Sequence, residues 1–303
     1  GIDPASFSAV TGPAHDLFRY VNGPWIDMYR LPDDRSRYGS FDKLAEDAEN
    51  QIREILEDDD CPAEKSHALY ASFLDVDAIN ASGLAAIEDQ LKAIDVAADK
   101  AELTRSLGAM NPAGGPDLIG IAVYGDPGAP ETNIIHIEQS GLGLPDEAYY
   151  REDHYAPIRE AYVDMVAKQL KNAKLAADDE QAEAQAQRFL DVETRIAANH
   201  WDNVATRDSV KTYNPTDYAE LSRMLADYDL DTWIESWQSA YDQTSAAQVQ
   251  PLDFRGIFNH VVVHEPSFLT GLNAFWKAAD LDDLKLWARV HVIIGSTLEL
   301  PHE

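Results

Sequence analysis

The sequence predicts a mainly α-helical protein with a small β-hairpin inserted at about residues 117–138. The first observation is that apolar residues recur along most of the chain every three or four positions, which is the spacing of one face of an α-helix. The second is a single stretch of β-branched and aromatic residues that is divided by turn-forming residues. No fixed repeat, low-complexity tract or Gly/Ser-rich linker marks a boundary, so we expect one helical domain over residues 14–303.

Three apolar stripes identify helices most clearly, and they lie within residues 41–55, 158–170 and 189–197. The third stripe follows the acidic residues 178–180, which suit a helix N-terminus because the helix dipole favours negative charge there. Further helices are predicted at about residues 62–74, 83–94, 99–110, 215–226, 229–241, 266–278 and 280–298.

The predicted hairpin has two arms, residues 118–124 and 133–138, whose β-branched and aromatic residues favour strands. Between them, residues 125–130 (GDPGAP) are rich in the glycines and prolines that form turns. A short third strand is predicted at residues 258–264, where three valines follow one another.

The chain of 303 residues is strongly acidic, with 24 Lys and Arg against 54 Asp and Glu and a formal net charge of −30. Proteins that bind nucleic acids or anionic membranes normally present a basic surface, so we expect neither kind of partner. The hydrophobic content of 45% is that of a globular protein. The longest apolar runs, such as residues 261–263, are far shorter than the roughly 20 residues that cross a bilayer.

The cysteine content suggests a cellular location. Cys61 is the single cysteine, so no intrachain disulfide can form. Because the absence of disulfides is typical of reducing compartments, we expect a cytoplasmic protein, with export as the alternative. Residues 1–13 are predicted to form an extended N-terminus. Residues 1–4 have the character of a cloning remnant, in which case a native leader could have been removed.

His260 and His264 form the most metal-like group, because their spacing places both imidazoles on one face of a helix or of a strand. The sequence that follows lacks the second histidine of an H-E-x-x-H motif, and Pro266 disfavours a helix through Glu265. A catalytic zinc ion needs three protein ligands, and no third ligand is indicated nearby. We therefore interpret this pair as structural and predict no metal ligand in the chain.

Other catalytic motifs are missing from the sequence. No G-x-S-x-G nucleophile elbow occurs, and the glycines at Gly141 and Gly143 do not continue as G-x-G-x-x-G. His136 and His200 are interpreted as packing or capping residues. We predict no catalytic residue in this chain, and the residues alone indicate an acidic, mainly helical domain.

Four segments, taken in order, resemble the N-terminal region of the neprilysin-type zinc metallopeptidases, a family that includes endothelin-converting enzyme and bacterial oligopeptidases. The segments are residues 16–25 (DLFRYVNGPW), 36–42 (SRYGSFD), 141–146 (GLGLPD) and 211–215 (KTYNP). The resemblance extends over about residues 14–300 and concerns both the order and the spacing of the segments.

The resemblance implies zinc-dependent cleavage of short peptides. In this family a helical domain, largely the region matched here, sits over a catalytic domain and admits only small peptides. The zinc-binding H-E-x-x-H helix and the third zinc ligand lie further along than residue 303. We therefore expect zinc in the complete enzyme, a catalytic half that follows this chain, and no peptidase activity from the 303 residues alone. The alternative is a helical binding or scaffold module of the same fold without catalysis.

The resemblance also implies one substrate-binding residue, Arg37. This residue matches an arginine that holds the C-terminal side of the substrate in neprilysin, where a guanidinium group suits a carboxylate. A second substrate arginine of neprilysin falls at Ala45, so a preference for free peptide C-termini is not expected. Without the resemblance, Arg37 would be interpreted as forming an ordinary surface salt bridge.

Overall fold

The computed structural model describes residues 3–33, 35, 37–58, 62–297 and 300. The chain divides into two compact units, residues 1–74 and residues 75–303. The expected domain start at residue 14 stays a prediction. Within the described ranges, no helix combines the length and the apolar character that crossing a lipid bilayer requires.

The first unit is built from helices, two of which have an acidic side chain that accepts a backbone hydrogen bond at the start of the helix. Asp16 caps the first helix by accepting a hydrogen bond from the Arg19 N–H at 2.8 Å. In the second helix the acidic residue lies in the first turn: Asp42 accepts a hydrogen bond from the N–H of Gly39, the N-cap residue, at 2.7 Å. The described elements are a 3₁₀ turn at Pro4–Ser6 and the helices α1 (Leu17–Met28), α2 (Ser40–Glu57) and α3 (Glu64–Leu74).

The second unit contains most of the helices. Those described are α4 (Val76–Ser82), α5 (Glu88–Val96), α6 (Lys100–Met110), α7 (Ala148–Arg151), α8 (Ala156–Asn172), α9 (Asp179–Ala197), α10 (Tyr218–Met224), α11 (Leu230–Asp242), α12 (Ser245–Val249), α13 (Phe254–Ile257), α14 (Pro266–Ala278) and α15 (Leu281–Gly295). The mainly helical fold class predicted from the sequence is confirmed.

Two of the predicted helices begin at least three residues later than expected. The helix predicted at 83–94 begins at Glu88, because Gly83 has a φ of +57° and ends α4 instead. The helix predicted at 215–226 begins at Tyr218, because the four preceding residues form a strand that the sequence analysis missed. Asp217 then caps α10 by accepting from the Glu220 N–H at 2.8 Å.

The described strands form a four-stranded sheet in the order β1-β2-β4-β3. The predicted hairpin is confirmed as β1 (Ile119–Asp126) and β2 (Ala129–Gln139), which pair antiparallel. The predicted third strand is β4 (His260–Val263), which lies parallel to β2. The missed strand is β3 (Asn214–Asp217), which pairs antiparallel with β4.

The hydrophobic core of the second unit lies between the sheet and the helices. One face of the sheet contributes alternate residues of its strands, including Ile135, Ile137 and Val261, all of which are buried. Helices α8, α9 and α15 pack on one another. Their largest contributions are Phe189 and Trp287, which are 0% and 1% exposed.

Candidate functional site

The segment between α1 and α2 carries the predicted substrate residue, Arg37, whose side chain is exposed. Residues on both sides of Arg37 are fixed to α2 through Glu46. The Tyr38 hydroxyl donates to Glu46 Oε2 at 2.6 Å, and the Arg35 guanidinium lies 3.3 Å from Glu46 Oε1. Arg37 therefore lies between two residues, Arg35 and Tyr38, whose side chains contact Glu46.

Three aromatic rings support the same segment from the side of α1. Trp25 stacks on Tyr29 at 4.6 Å between ring centroids, and Tyr29 stacks on Tyr38 at 4.5 Å. The hydrogen bond to Glu46 raises the pKa of Tyr38, so its phenol stays protonated and remains a donor. The stack and the hydrogen bond together fix Tyr38, the residue that follows Arg37.

Arg37 forms no ion pair with the described residues, whereas Arg19 pairs with Asp27 and Arg35 pairs with Glu46. Ala45, at the position of the second family arginine, is exposed on α2. Because no carboxylate in the described part of the chain pairs with it, the Arg37 guanidinium group can bind an external carboxylate or carbonyl oxygen.

A cavity of about 490 Å³ lies beside this segment within the first unit. Its walls combine aromatic and aliphatic side chains with a few polar groups. The lining residues are Phe18, Asn22, Trp25, Ile26, Tyr38, Gly39, Ser40 and Lys43.

In the second unit, Glu193 on α9 organises residues 141–146, one of the four family-like segments. Its carboxylate is 0% exposed and accepts three hydrogen bonds. The donors are the Gly143 N–H at 2.7 Å, the Tyr150 hydroxyl at 2.9 Å and the His291 Nε2–H at 2.9 Å. Burial, and then the charge of Glu193, raises the pKa of Tyr150, which keeps that hydroxyl a donor.

Glu193 was not among the residues predicted from the sequence, although its position carried a signal. Phe189, Glu193 and Ile196 are three or four residues apart, so they lie on one face of α9. A carboxylate within an apolar stripe is buried only when donors satisfy it, so this position was a candidate for a hydrogen-bonding centre.

The two glycines of residues 141–146 are required by close packing. Gly141 has a φ of +91°, which side-chain-bearing residues rarely adopt. A Cβ atom at Gly143 would lie 2.0 Å from the Tyr162 hydroxyl oxygen. This family-like segment is therefore explained by its structural role, and nothing in its described contacts indicates catalysis.

The family-like segment at residues 211–215 connects a loop to the sheet. The Tyr213 hydroxyl donates to Asp126 Oδ1 at 2.8 Å, at the end of β1. The Asn214 amide donates to the Val263 carbonyl oxygen at 2.9 Å. Just before this segment, Asp208 accepts from the N–H groups of Val210 and Lys211, which lower its pKa.

The histidine pair at 260 and 264 lies on a strand and its end, as the sequence indicated. His264 Nε2 faces His136 Nδ1 on β2 at 2.8 Å, while His260 is exposed. Among the described residues, no group of three or more His, Cys, Asp or Glu side chains is arranged to hold a metal ion. Because these residues do not fit a zinc site, we assign them no step of a zinc mechanism.

His200 follows α9 and lies in the wall of a second cavity of about 260 Å³ beside residues 139–146. Its Nε2 lies 3.0 Å from the Ser140 carbonyl oxygen. Burial lowers the pKa of His200 to about 4, so the ring is neutral at pH 7 and donates this hydrogen bond. The predicted packing role of His200 agrees with these contacts.

Comparison with known proteins settles the family. The N-terminal sequence profile of peptidase family M13 matches residues 13–303. The chain belongs to peptidase family M13. Members of this family are zinc metallopeptidases, so the resemblance noted in the sequence is confirmed.

Relatives show the extent of the match. Human neprilysin is 25% identical over 321 residues, which cover 96% of this chain and 42% of neprilysin. Human endothelin-converting enzyme 1 is 23% identical over 298 residues, or 93% of this chain and 37% of that protein. This chain therefore spans less than half the length of these curated relatives.

Solved structures agree with the sequence relatives. Zinc metalloprotease Zmp1 of Mycobacterium tuberculosis, determined in complex with an inhibitor, superimposes with a TM-score of 0.85 and 30% identity, covering 99% of this chain and 45% of Zmp1. PepO from Lactobacillus rhamnosis has a TM-score of 0.71 at 20% identity and shares the fold.

The prediction of a cytoplasmic location is wrong. The neprilysin and endothelin-converting enzyme relatives are membrane-anchored or secreted extracellular peptidases, and Zmp1 is exported. The inference failed because a chain with a large hydrophobic core needs no disulfide to remain folded outside the cell, so the presence of a single cysteine does not identify a compartment. Cys61 itself lies outside the described residues.

Proposed function

We propose that this chain is the N-terminal, non-catalytic part of a zinc-dependent peptidase, which covers the active-site cavity and restricts it to small peptides. The match of residues 13–303 to the N-terminal part of family M13 carries this proposal, together with coverage of 42% of neprilysin. In this proposal a catalytic half supplies the zinc ligands and the general base, and peptides short enough to enter are the substrates.

The exposed apolar face of α2 supports the proposal that the first unit binds a partner. Phe41, Leu44, Ile52 and Ile55 recur at helical spacing and are 87%, 62%, 57% and 55% exposed. A contiguous apolar stripe of this kind usually marks an interaction surface. We propose that the catalytic half of the protein covers this face.

We further propose that Arg37 binds the C-terminal side of the peptide substrate. Support comes from its exposure, from the absence of an ion pair with the described residues, and from the anchored residues on either side. Ala45 offers no second cation. The substrate is therefore held by one guanidinium group, and a peptide need not end in a free carboxylate.

The main proposal is tested on the protein that the complete reading frame encodes. Its zinc content and its cleavage of peptides are measured. We expect about one tightly bound zinc ion per chain and chelator-sensitive cleavage of short peptides, with folded proteins left intact. The 303-residue chain serves as the control and should cleave no peptide. A reading frame without zinc ligands, or equal cleavage of short peptides and folded proteins, would contradict the proposal.

An Arg37→Ala substitution in the complete protein tests the substrate role. Losing one charge-assisted hydrogen bond costs on the order of 1.5 to 3 kcal/mol, so the KM for short peptides should rise about 10- to 150-fold with a smaller change in kcat. Arg53→Ala is the matched control, since Arg53 is exposed on α2 and contacts Asn50. An unchanged KM for Arg37→Ala would remove this residue from the substrate site.

A further inference from the structure

Two acidic side chains of α2 contact the segment between α1 and α2, which carries Arg37. Asp42 and Glu46 are four residues apart, so they lie on one face of the helix. Asp42 accepts from the Gly39 N–H at 2.7 Å, at the point where the segment meets the helix. Glu46 lies one turn further along and contacts side chains from both sides of Arg37.

The two oxygens of the Glu46 carboxylate have different partners. Oε2 accepts a hydrogen bond from the Tyr38 hydroxyl at 2.6 Å, and Oε1 lies 3.3 Å from Nη2 of Arg35. The side chains of Arg35 and Glu46 are each 34% exposed, whereas those of the Lys43–Asp47 pair are 64% and 49% exposed. Because salt screens a partly shielded pair less than an exposed one, we expect the contacts of Glu46 to persist in solution.

Arg37 itself makes no hydrogen bond or ion pair in the described part of the chain, and it lies outside the helices. Its peptide bond joins it directly to Tyr38, so fixing Tyr38 limits the positions open to the Arg37 Cα atom. A guanidinium group on an unfixed segment must be ordered when a ligand binds, and this ordering weakens binding. The contacts of Glu46 therefore reduce the cost of using Arg37 as a binding group.

We propose that Glu46 is a positioning residue, which holds Tyr38 and Arg35 and thereby presents the Arg37 guanidinium group to the peptide substrate. This inference rests on the proposed substrate role of Arg37. Glu46 does not bind the peptide in this proposal, because both of its oxygens already have partners within the first unit.

A double-mutant cycle of Glu46→Ala and Arg37→Ala in the complete protein tests this role. Glu46→Ala should raise the KM for short peptides about three- to tenfold, the factor for ordering one more side chain on binding, with a smaller change in kcat. Its effect should disappear in the Arg37→Ala background, because a residue that acts through Arg37 then has nothing to position. An equal rise in KM in both backgrounds would overturn the proposal.

Two conservative variants separate positioning from a general loss of structure. Tyr38→Phe removes the hydroxyl that donates to Glu46 but keeps the ring that stacks on Tyr29, so it should raise KM while the chain stays folded. Glu46→Gln keeps an acceptor for this hydroxyl, so its KM should lie between those of the wild type and Glu46→Ala. A KM for Glu46→Gln as high as that of Glu46→Ala would contradict the proposal.

Glu49→Ala is the matched control, since Glu49 lies at an exposed position of the same helix, and its KM should equal that of the wild type. Circular dichroism and thermal unfolding show whether each variant is folded. If Glu46→Ala loses its fold, Tyr38→Phe takes its place in the cycle with Arg37→Ala.

The proposed function and this inference fail in different ways. An unchanged KM for Arg37→Ala would refute the substrate role of Arg37, and the positioning role would be refuted with it. A raised KM for Arg37→Ala, together with an unchanged KM for Glu46→Ala, would refute the positioning role alone.

Discussion

The two compact units use similar amphipathic helices but differ in what covers their apolar faces. In the described part of residues 3–74, Gly23 is the one buried residue. In the second unit, helices such as α9 are buried along their apolar stripe, and Phe189 is 0% exposed. Apolar spacing therefore predicts a helix in both units. Whether the apolar face of that helix is buried depends on other parts of the protein.

The difference between the units predicts that two phenylalanine-to-alanine substitutions change the free energy of unfolding by very different amounts. Phe189→Ala should lower the free energy of unfolding by about 3 to 5 kcal/mol, because it removes a fully buried ring. Phe41→Ala should change it by less than about 0.5 kcal/mol, because that ring is 87% exposed. Urea denaturation of both variants of the 303-residue chain provides the measurement. Similar losses for the two variants would mean that α2 is packed as tightly as α9.

The next largest effect is expected at the polar centre of the second unit. Glu193→Ala leaves the Gly143 N–H and the Tyr150 hydroxyl without their acceptor, so the free energy of unfolding should fall by on the order of 3 kcal/mol. Glu183→Ala, at an exposed position of the same helix, is the matched control and should change it by less than about 0.5 kcal/mol. A loss of similar size for both variants would show that Glu193 does not organise residues 141–146.

Local sequence patterns were sufficient to predict most of the helices and strands, but they were insufficient to predict the polar contacts. Helix α14 was predicted at its observed limits, because a proline begins it and its apolar spacing is regular. Strand β3 was missed because its four residues include Pro215 and show no strand-like alternation. Tertiary pairing with β4 makes it a strand.

The contacts that define the polar centres join residues far apart in the chain. Glu193 and Gly143 are 50 residues apart, and His136 and His264 are 128 apart. No local pattern specifies which distant donor meets a given acceptor. The family resemblance located the segment at residues 141–146, but its packing role became evident from the buried carboxylate of Glu193 that holds it.

The exposed face of α2 leads to the most direct test of a catalytic half that covers the first unit. Hydrogen exchange should be compared between the 303-residue chain and the protein that the complete reading frame encodes. We expect the amides of α2 to exchange at least about tenfold more slowly in the complete protein, while those of α9 remain unchanged. Equal exchange of α2 in the two proteins would contradict the account, because the apolar face would then have no partner in the rest of the protein.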